Sequence, residues 1–301
     1  MRTLAALLAT LTLPFTSWAA STINSTNAFS YGANIGWMNW RTSAADGVSI
    51  GEYICSGNIY GANVGWINLG NGVPVNHIQY SNSSATDFGV NYSIDPMLPN
   101  KAILRGFAYG ANIGWINFEN TGNPRIRFSD GKLEGYAWSA NCGWINLGDG
   151  SFNLQTDTIA PGVDSDGDGM ADAFEFLYFG DLSHGALTDT DGDGMTDVQE
   201  YLEGTDPKVA GDRLRIVTVA NTAHDAFNTS TQLLWTSNVS RLYAIDTTTD
   251  LRNPTSWTDL LIDGGPNSVI PSIGTQTIRT VMTPNAPRRF FRVRAVRPLS
   301  P

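Results

Sequence analysis

Only 15% of the 301 residues carry charge, and cations are the scarcer kind, with 18 Lys and Arg against 28 Asp and Glu and a net charge of -10. A chain short of cations has no basic face for neutralising phosphates, which excludes general nucleic-acid binding. Its three histidines, His77, His184 and His224, stand far apart with no HExxH and no Cys/His spacing, so a transition-metal centre is not expected. No stretch reaches the ~20 apolar residues that a membrane-spanning helix needs, so no transmembrane segment is expected in the mature chain. Gly47-Val48-Ser49-Ile50-Gly51 spells a nucleophile elbow, but Glu52-Tyr53-Ile54-Cys55 continues as a strand where that motif requires a helix. Carboxylates outside one acidic segment are scattered, and no phosphate-cradling glycine loop precedes a helix. The chain is expected not to be an enzyme.

A hydrophobic content of 42% rules out wholesale disorder, and the length suits two or three domains. Arg2, the apolar run Leu4 to Leu13 and the small residues of Ser17-Trp18-Ala19 read as a leader over residues 1–19, cleaved near Ala19. The expected location is therefore secreted, extracellular or on the outer cell surface. Cysteine is limited to Cys55 and Cys142, and export permits a bridge between them. In the repeat alignment below they take the places of Leu133 and Val64, which reads equally as two small buried apolar groups.

Four segments of residues 20–156 share one pattern: AFSYGANIGWMNW from Ala28, GNIYGANVGWINL from Gly57, GFAYGANIGWINF from Gly106 and GYAWSANCGWINL from Gly135. Trp37, Trp66, Trp115 and Trp144 are spaced 29, 49 and 29 apart, so a pair of repeats has itself been duplicated with a period of 78. Aromatic and β-branched residues alternate with small ones on either side of Gly and Asn, the grammar of a β-hairpin. An all-β domain of stacked hairpins is predicted. Packing is the reading preferred for the repeated aromatics, as rings filling a common core. The alternative is a carbohydrate-binding face of Trp and Tyr with Asn39, Asn68, Asn117 and Asn146.

Residues 157–212 hold 15 Asp and Glu against one Lys, so the rest of the chain is net positive. The acid is ordered. DSDGDGMADAFE from Asp164 and DTDGDGMTDVQE from Asp189 each place carboxylates at positions 1, 3, 5, 9 and 12 of a twelve-residue loop, with Gly at position 6. A hard cation wanting six to eight oxygens is served by that spacing. The expected ligands are Asp164, Asp166, Asp168, the carbonyl of Met170, Asp172 directly or through water, and Glu175. In the second loop they are Asp189, Asp191, Asp193, the carbonyl of Met195, Asp197 and Glu200. Two Ca²⁺ are expected; Mg²⁺ suits so many carboxylates less well. Each loop leads into a short apolar helix stopped by Gly180 or Gly204, and Pro161-Gly162 prevents an entering helix before the first.

With no entering helix, this segment departs from an EF-hand and resembles the bacterial thrombospondin type 3 and dockerin-like calcium repeats, most closely over DGDGMTDVQEYLEGTDP from Asp191. The resemblance implies a structural extracellular calcium module, often a spacer, spanning 157–211. Ion binding would turn a self-repelling linker into a rod. Residues 212–301 change to Thr, Val, Ile and Arg, with six strand signals between Leu214 and Ala295, and read as a fibronectin III or immunoglobulin-like β-sandwich. LLWTSNVSRLYAIDTTTDLRNPTSWTDL from Leu233 and RRFFRVRA from Arg288 resemble a C-terminal module of secreted multidomain proteins of Verrucomicrobia-like bacteria. Arg288, Arg289, Arg292, Arg294 and Arg297 crowd the last strand, as charge on an edge strand or as a docking face. The whole reads as a mainly β protein: a repeat-hairpin domain, a short helical calcium-loop connector and a sandwich. Its expected role is surface attachment or extracellular structure, with an extracellular or cell-surface protein or a polysaccharide as partner.

Overall fold

A computed structural model describes residues 20–119, 122–262 and 268–300; the expected leader lies outside the described residues. The fold is mainly β. In chain order the N-terminal strands are β1 (Phe29–Gly32), β2 (Gly36–Asn39), β3 (Ser49–Ile50), β4 (Cys55–Ser56), β5 (Asn58–Gly61), β6 (Gly65–Asn68), β7 (Val90–Ile94), β8 (Lys101–Gly110), β9 (Gly114–Asn117), β10 (Arg125–Arg127), β11 (Leu133–Ser139) and β12 (Gly143–Gly148). Each repeat is one hairpin: β1–β2, β5–β6, β8–β9 and β11–β12. The hairpins join edge to edge, β2 to β5, β6 to β8, β9 to β11, and β12 back to β1. Eight antiparallel strands therefore close into a barrel, which removes open edges from the ring. The four seams share one register, with Tyr31, Tyr60, Tyr109 and Trp138 opposite Asn146, Asn39, Asn68 and Asn117.

The hairpin tips explain the invariant residues. In the first three, the amides of Ile35, Val64 and Ile113 donate to the carbonyls of Gly32, Gly61 and Gly110 at 3.1–3.2 Å. In all four, a glycine follows at φ +71 to +80°, a left-handed position where a side chain would be strained. Each turn asparagine then donates to a neighbouring tip: Asn63 to the Ile35 carbonyl, Asn112 to Val64, Asn141 to Ile113, and Asn34 to Cys142, at 3.0–3.1 Å. The four bonds form a closed circle.

Inside, side chains stack in layers of four. Ile35, Val64, Ile113 and Cys142 plug the tip end, Met38, Ile67, Ile116 and Ile145 lie below them, and Trp40, Leu69, Phe118 and Leu147 lie deeper, all buried. A Cβ on Gly32, Gly61 or Gly110 would come within 2.6–3.0 Å of the Ile35, Val64 or Ile113 side chain. The fourth copy has Ser139 at this position, buried beside the smaller Cys142. One substitution makes room for the other.

The expectation that the repeat tryptophans fill the core is corrected. Trp37, Trp66, Trp115 and Trp144 point outward, 52, 56, 45 and 43% exposed, and each forms a cross-strand pair with Tyr31, Tyr60, Tyr109 or Trp138 at 4.8–5.0 Å between ring centroids. The reason is girth. The layer level with these tryptophans is already filled inside the closed ring, where Ser30, Ala108 and Ala137 face Met38, Ile116 and Ile145, and Ile59 faces Ile67. The bridge left open for the cysteines is not formed: Cys55 and Cys142 are both free and buried, and burial pushes the Cys55 thiol up to about 12.

Two helices follow, α1 (Asp172–Tyr178) and α2 (Asp197–Glu203), then β13 (Ile216–His224), β14 (Asn228–Thr236), β15 (Leu242–Thr248), β16 (Thr258–Asp259), β17 (Gln276–Pro284) and β18 (Phe290–Val296). They form two three-stranded sheets, β13-β14-β17 and β16-β15-β18. Leu233, Trp235, Tyr243, Ile245, Val269 and Val281 make their common core. Asp246 on β15 accepts from both Arg292 and Arg294 of the edge strand β18 at 2.7 Å, and the Arg292 guanidinium lies 4.6 Å from the Trp257 ring. Leu242, Val296 and Leu299 pack against the barrel domain's own core, so the two β domains touch directly.

Candidate metal centre

The two acidic loops fold alike because each aspartate at position 1 ties down its own loop. Asp164 accepts from the amides of Gly167 and Gly169 at 2.8 and 3.1 Å, and Asp189 from those of Gly192 and Gly194 at 2.8 and 3.0 Å. Gly169 and Gly194 make this possible at φ +100 and +95°. Asp168 and Asp193 each accept from the amide two residues on, Met170 and Met195, at 2.8 and 2.9 Å. As a result one carboxylate oxygen from each of Asp164, Asp166 and Asp168 lies within 4.8 Å of the others, and the same holds for Asp189, Asp191 and Asp193.

The position 12 glutamates sit on the helices within electrostatic reach of the aspartates of their own loops. Glu175 on α1 and Glu200 on α2 are both 0% exposed, and neither oxygen of either has a hydrogen-bond partner. Asp168 Oδ2, Asp191 Oδ2 and Asp193 Oδ2 are likewise buried without one. Burial, reinforced by the neighbouring aspartates, pushes Glu175 up to about 7 and Glu200 to about 8. Buried carboxylate oxygens left without donors are costly, and only a cation among them satisfies all at once. An oxygen-only donor set of this kind fits Ca²⁺, which the triads Asp164, Asp166 and Asp168 and Asp189, Asp191 and Asp193 could hold, with Glu175 and Glu200 as the nearby buried carboxylates. The side chain of Met170 is buried and that of Met195 half-buried beneath the loops.

The position 9 aspartates also hold their loops in shape. Asp172 spends both oxygens on Ser165, accepting from its amide and hydroxyl at 2.7 and 2.6 Å. Asp197 accepts from the amide and hydroxyl of Thr190 at 2.9 and 2.8 Å and lies 3.1 Å from His184 Nδ1. Both brace the loop from its position 2 residue. Ser165 and Thr190 were legible as the shared hydroxyl in DSD and DTD; His184, stacked 3.8 Å from Phe179, was not.

The two loop–helix units pack on each other around Met170, Ala171, Phe174 and Tyr201, with Phe174 and Tyr201 rings 4.9 Å apart. Thr196 and Gln199 form a capping box at the start of α2, and Gly204 ends it in the left-handed conformation. Tyr201, next in sequence to Glu200, is where the three parts of the chain meet. Its hydroxyl lies 3.2 Å from Glu52 of the barrel domain and accepts from Arg297 of the C-terminal domain at 3.0 Å. Arg241 donates to the carbonyls of Tyr201 and Leu202 at 2.6 and 3.1 Å. Arg241 and Arg297 also stand 3.9 and 4.0 Å from the Glu52 carboxylate. The connector is thus a compact wedge between two β domains, where charge neutralisation along a linker led to the expectation of a rod. Ser49, the serine of the elbow-like spelling, is buried on β3 and pairs with Ser56 of β4.

A family model described as Bacterial TSP3 repeat matches residues 164–177 and 189–210, each match beginning on a position 1 aspartate. No curated protein and no solved structure matches the chain. The segment is similar to thrombospondin type 3 calcium repeats, and its two aspartate triads are those of a calcium-binding repeat.

Proposed function

We propose that this is a secreted, non-enzymatic calcium-binding protein in which two ions lock two β domains into one rigid body for extracellular attachment or scaffolding. One observation carries the reading: the unpartnered, fully buried Glu200 is the immediate neighbour of Tyr201, which bonds to both β domains. A cation held by Glu200 fixes the first turns of α2, and with them the ring and carbonyl that Glu52, Arg241 and Arg297 grip. Without the ion, buried negative charge drives the loop open and the grip is lost. Affinity on the order of 10⁻⁴ to 10⁻³ M suits an extracellular module of this kind.

Calorimetric titration of the full mature chain should detect two ions, with one lost in Asp164→Ala and one in Asp189→Ala. X-ray scattering in chelator should show a larger radius than in calcium. Absence of heat at millimolar calcium would sink the reading, as would an unchanged radius.

A second reading is favoured by the outward tryptophans. Aromatic pairs repeated around a rigid barrel and half exposed are surface that a soluble protein keeps for a partner, and a polysaccharide is the partner they suit. In this reading the calcium unit holds a polysaccharide-binding barrel at a fixed angle to the C-terminal domain.

A further inference from the structure

We propose that the barrel carries two sugar subsites, beside Trp66 and beside Trp144, for an uncharged hexose polymer; this rests on the polysaccharide reading and assigns its contacts. The four aromatic pairs are not equivalent. Among the described residues, Trp144 meets only its own hairpin's Tyr136, at 6.0 Å, and Trp138, whereas Trp37 and Trp115 each meet a further ring from outside the hairpin, Phe152 edge-on at 5.1 Å and Phe88 edge-on at 5.0 Å. Trp37 and Trp115 belong to the first and third repeats. Beside the second and fourth, clefts open instead. One of about 490 Å³ is lined by Ala45, Asp46, Gly47, Asn58 and Trp66, and one of about 240 Å³ by Asn117, Glu119, Trp138 and Trp144.

Both clefts bring together the same three chemistries: an indole ring, an amide and a carboxylate. A pyranose presents a face of C–H groups and an equator of hydroxyls, and so needs a ring to lie on and a few fixed polar groups beside it. At the second cleft those groups are held rigidly. Asn117 Oδ1 accepts from the Glu119 amide at 2.5 Å, and Glu119 Oε1 from the Gly106 amide at 2.9 Å. Asn117 Nδ2 and Glu119 Oε2 are left for a ligand's hydroxyls. At the first cleft, Asn58 stands where the other copies carry Phe29, Phe107 and Tyr136, and this exchange of a ring for an amide opens the space.

No cation lines either cleft, which disfavours an anionic polymer. Repetition argues for a polymer over a protein, because two sites one duplication period apart meet the same unit twice only on a repeating ligand. The second and fourth hairpins are separated by one hairpin in either direction around the ring. One long chain that engages both sites binds with an avidity above either single affinity.

The test is affinity electrophoresis of the full chain, in calcium, through gels containing hydroxyethyl cellulose, laminarin or glucomannan, with alginate as the anionic control. Retardation is expected on at least one neutral polymer and not on alginate. Trp66→Ala and Trp144→Ala should each weaken it tenfold or more, while Trp37→Ala and Trp115→Ala stay within twofold. Asn58→Phe, which fills the first cleft with the ring other repeats carry and removes no packing, should weaken it as Trp66→Ala does. Equal effects of all four Trp variants, or no effect of Asn58→Phe, would overturn the placement and leave polysaccharide binding standing. No retardation on any neutral polymer, or retardation on alginate alone, would overturn both.

Discussion

The barrel and the connector both bury side chains completely, but they bury opposite things. In the barrel the buried layers are aliphatic and aromatic, and the polar groups among them are paired, as Trp40 Nε1 is with Ser30 Oγ at 2.8 Å. In the connector, beside a small apolar cluster, carboxylate oxygens of Asp168, Glu175, Asp191, Asp193 and Glu200 are buried with no hydrogen-bond partner. The first region is complete in its own atoms. The second is complete only with a cation, so one chain contains a unit whose stability is intrinsic beside one whose stability is set by its surroundings.

The largest effect should come from chelation. Two ions, each at a hundred times its dissociation constant, contribute about 5 kcal/mol together, and the thermal melt in chelator should lose this from the connector transition while the barrel transition stays in place. In chelator the connector should also respond to pH in an unusual sense. Because Glu175 and Glu200 are raised to about 7 and about 8 in the folded chain, their contribution is full below the ordinary carboxylate value and is lost as pH rises through those values. A calcium-free connector that gains stability between pH 5 and 9 would contradict this.

Next in size is Trp40→Ala, which should cost about 3–5 kcal/mol of barrel stability with or without calcium. Trp66→Ala, on the outer face, should cost about 1 kcal/mol or less. Denaturant melts that rank the two the other way would refute the inside–outside assignment.

Cys142→Ile comes third. It restores the consensus side chain against Ser139 and should overpack the tip by about 1–3 kcal/mol. The double variant with Ser139→Gly should recover most of it, and additive losses would deny the coupling.

The smallest effect concerns Asp95, where burial works to raise the carboxyl but hydrogen bonds from Arg125 and the Met97 amide outweigh it and hold the group below its ordinary value of 3.8. That contribution is full above pH 3.8 and fades as pH falls through the lowered value. An acid titration of barrel stability should therefore flatten in Asp95→Asn. The barrel's carboxylate weakens it in acid, the connector's weaken it in base.

Legibility followed range. The calcium loops were readable because twelve consecutive residues supply every side chain in them, and the strands of the C-terminal domain because alternation is local. Hairpins were readable from Gly, Asn and the aromatics. Which face of each hairpin turns inward was not, since both faces are apolar and a period of two fits either choice. The cue that decides it is size: Ser30, Ala108 and Ala137 are too small for an outer face dominated by rings, and they mark the crowded interior. The junction had no local cue at all, because Glu52, Tyr201, Arg241 and Arg297 come from separate stretches of chain.

The closed circle of turn asparagines also bears on the order in which the molecule can be made. Asn34 needs the carbonyl of Cys142, and Tyr31 pairs with Asn146, so the first hairpin waits for the last. During synthesis three hairpins can join in sequence, yet β1 remains an open edge until the fourth emerges, a period of exposure to pairing with other chains. Sealing that seam closes a loop of more than a hundred residues, which makes it a slow step. Reopening it means breaking the tip bonds and the strand register together, so the finished ring is held by the height of a barrier as well as by the depth of a well.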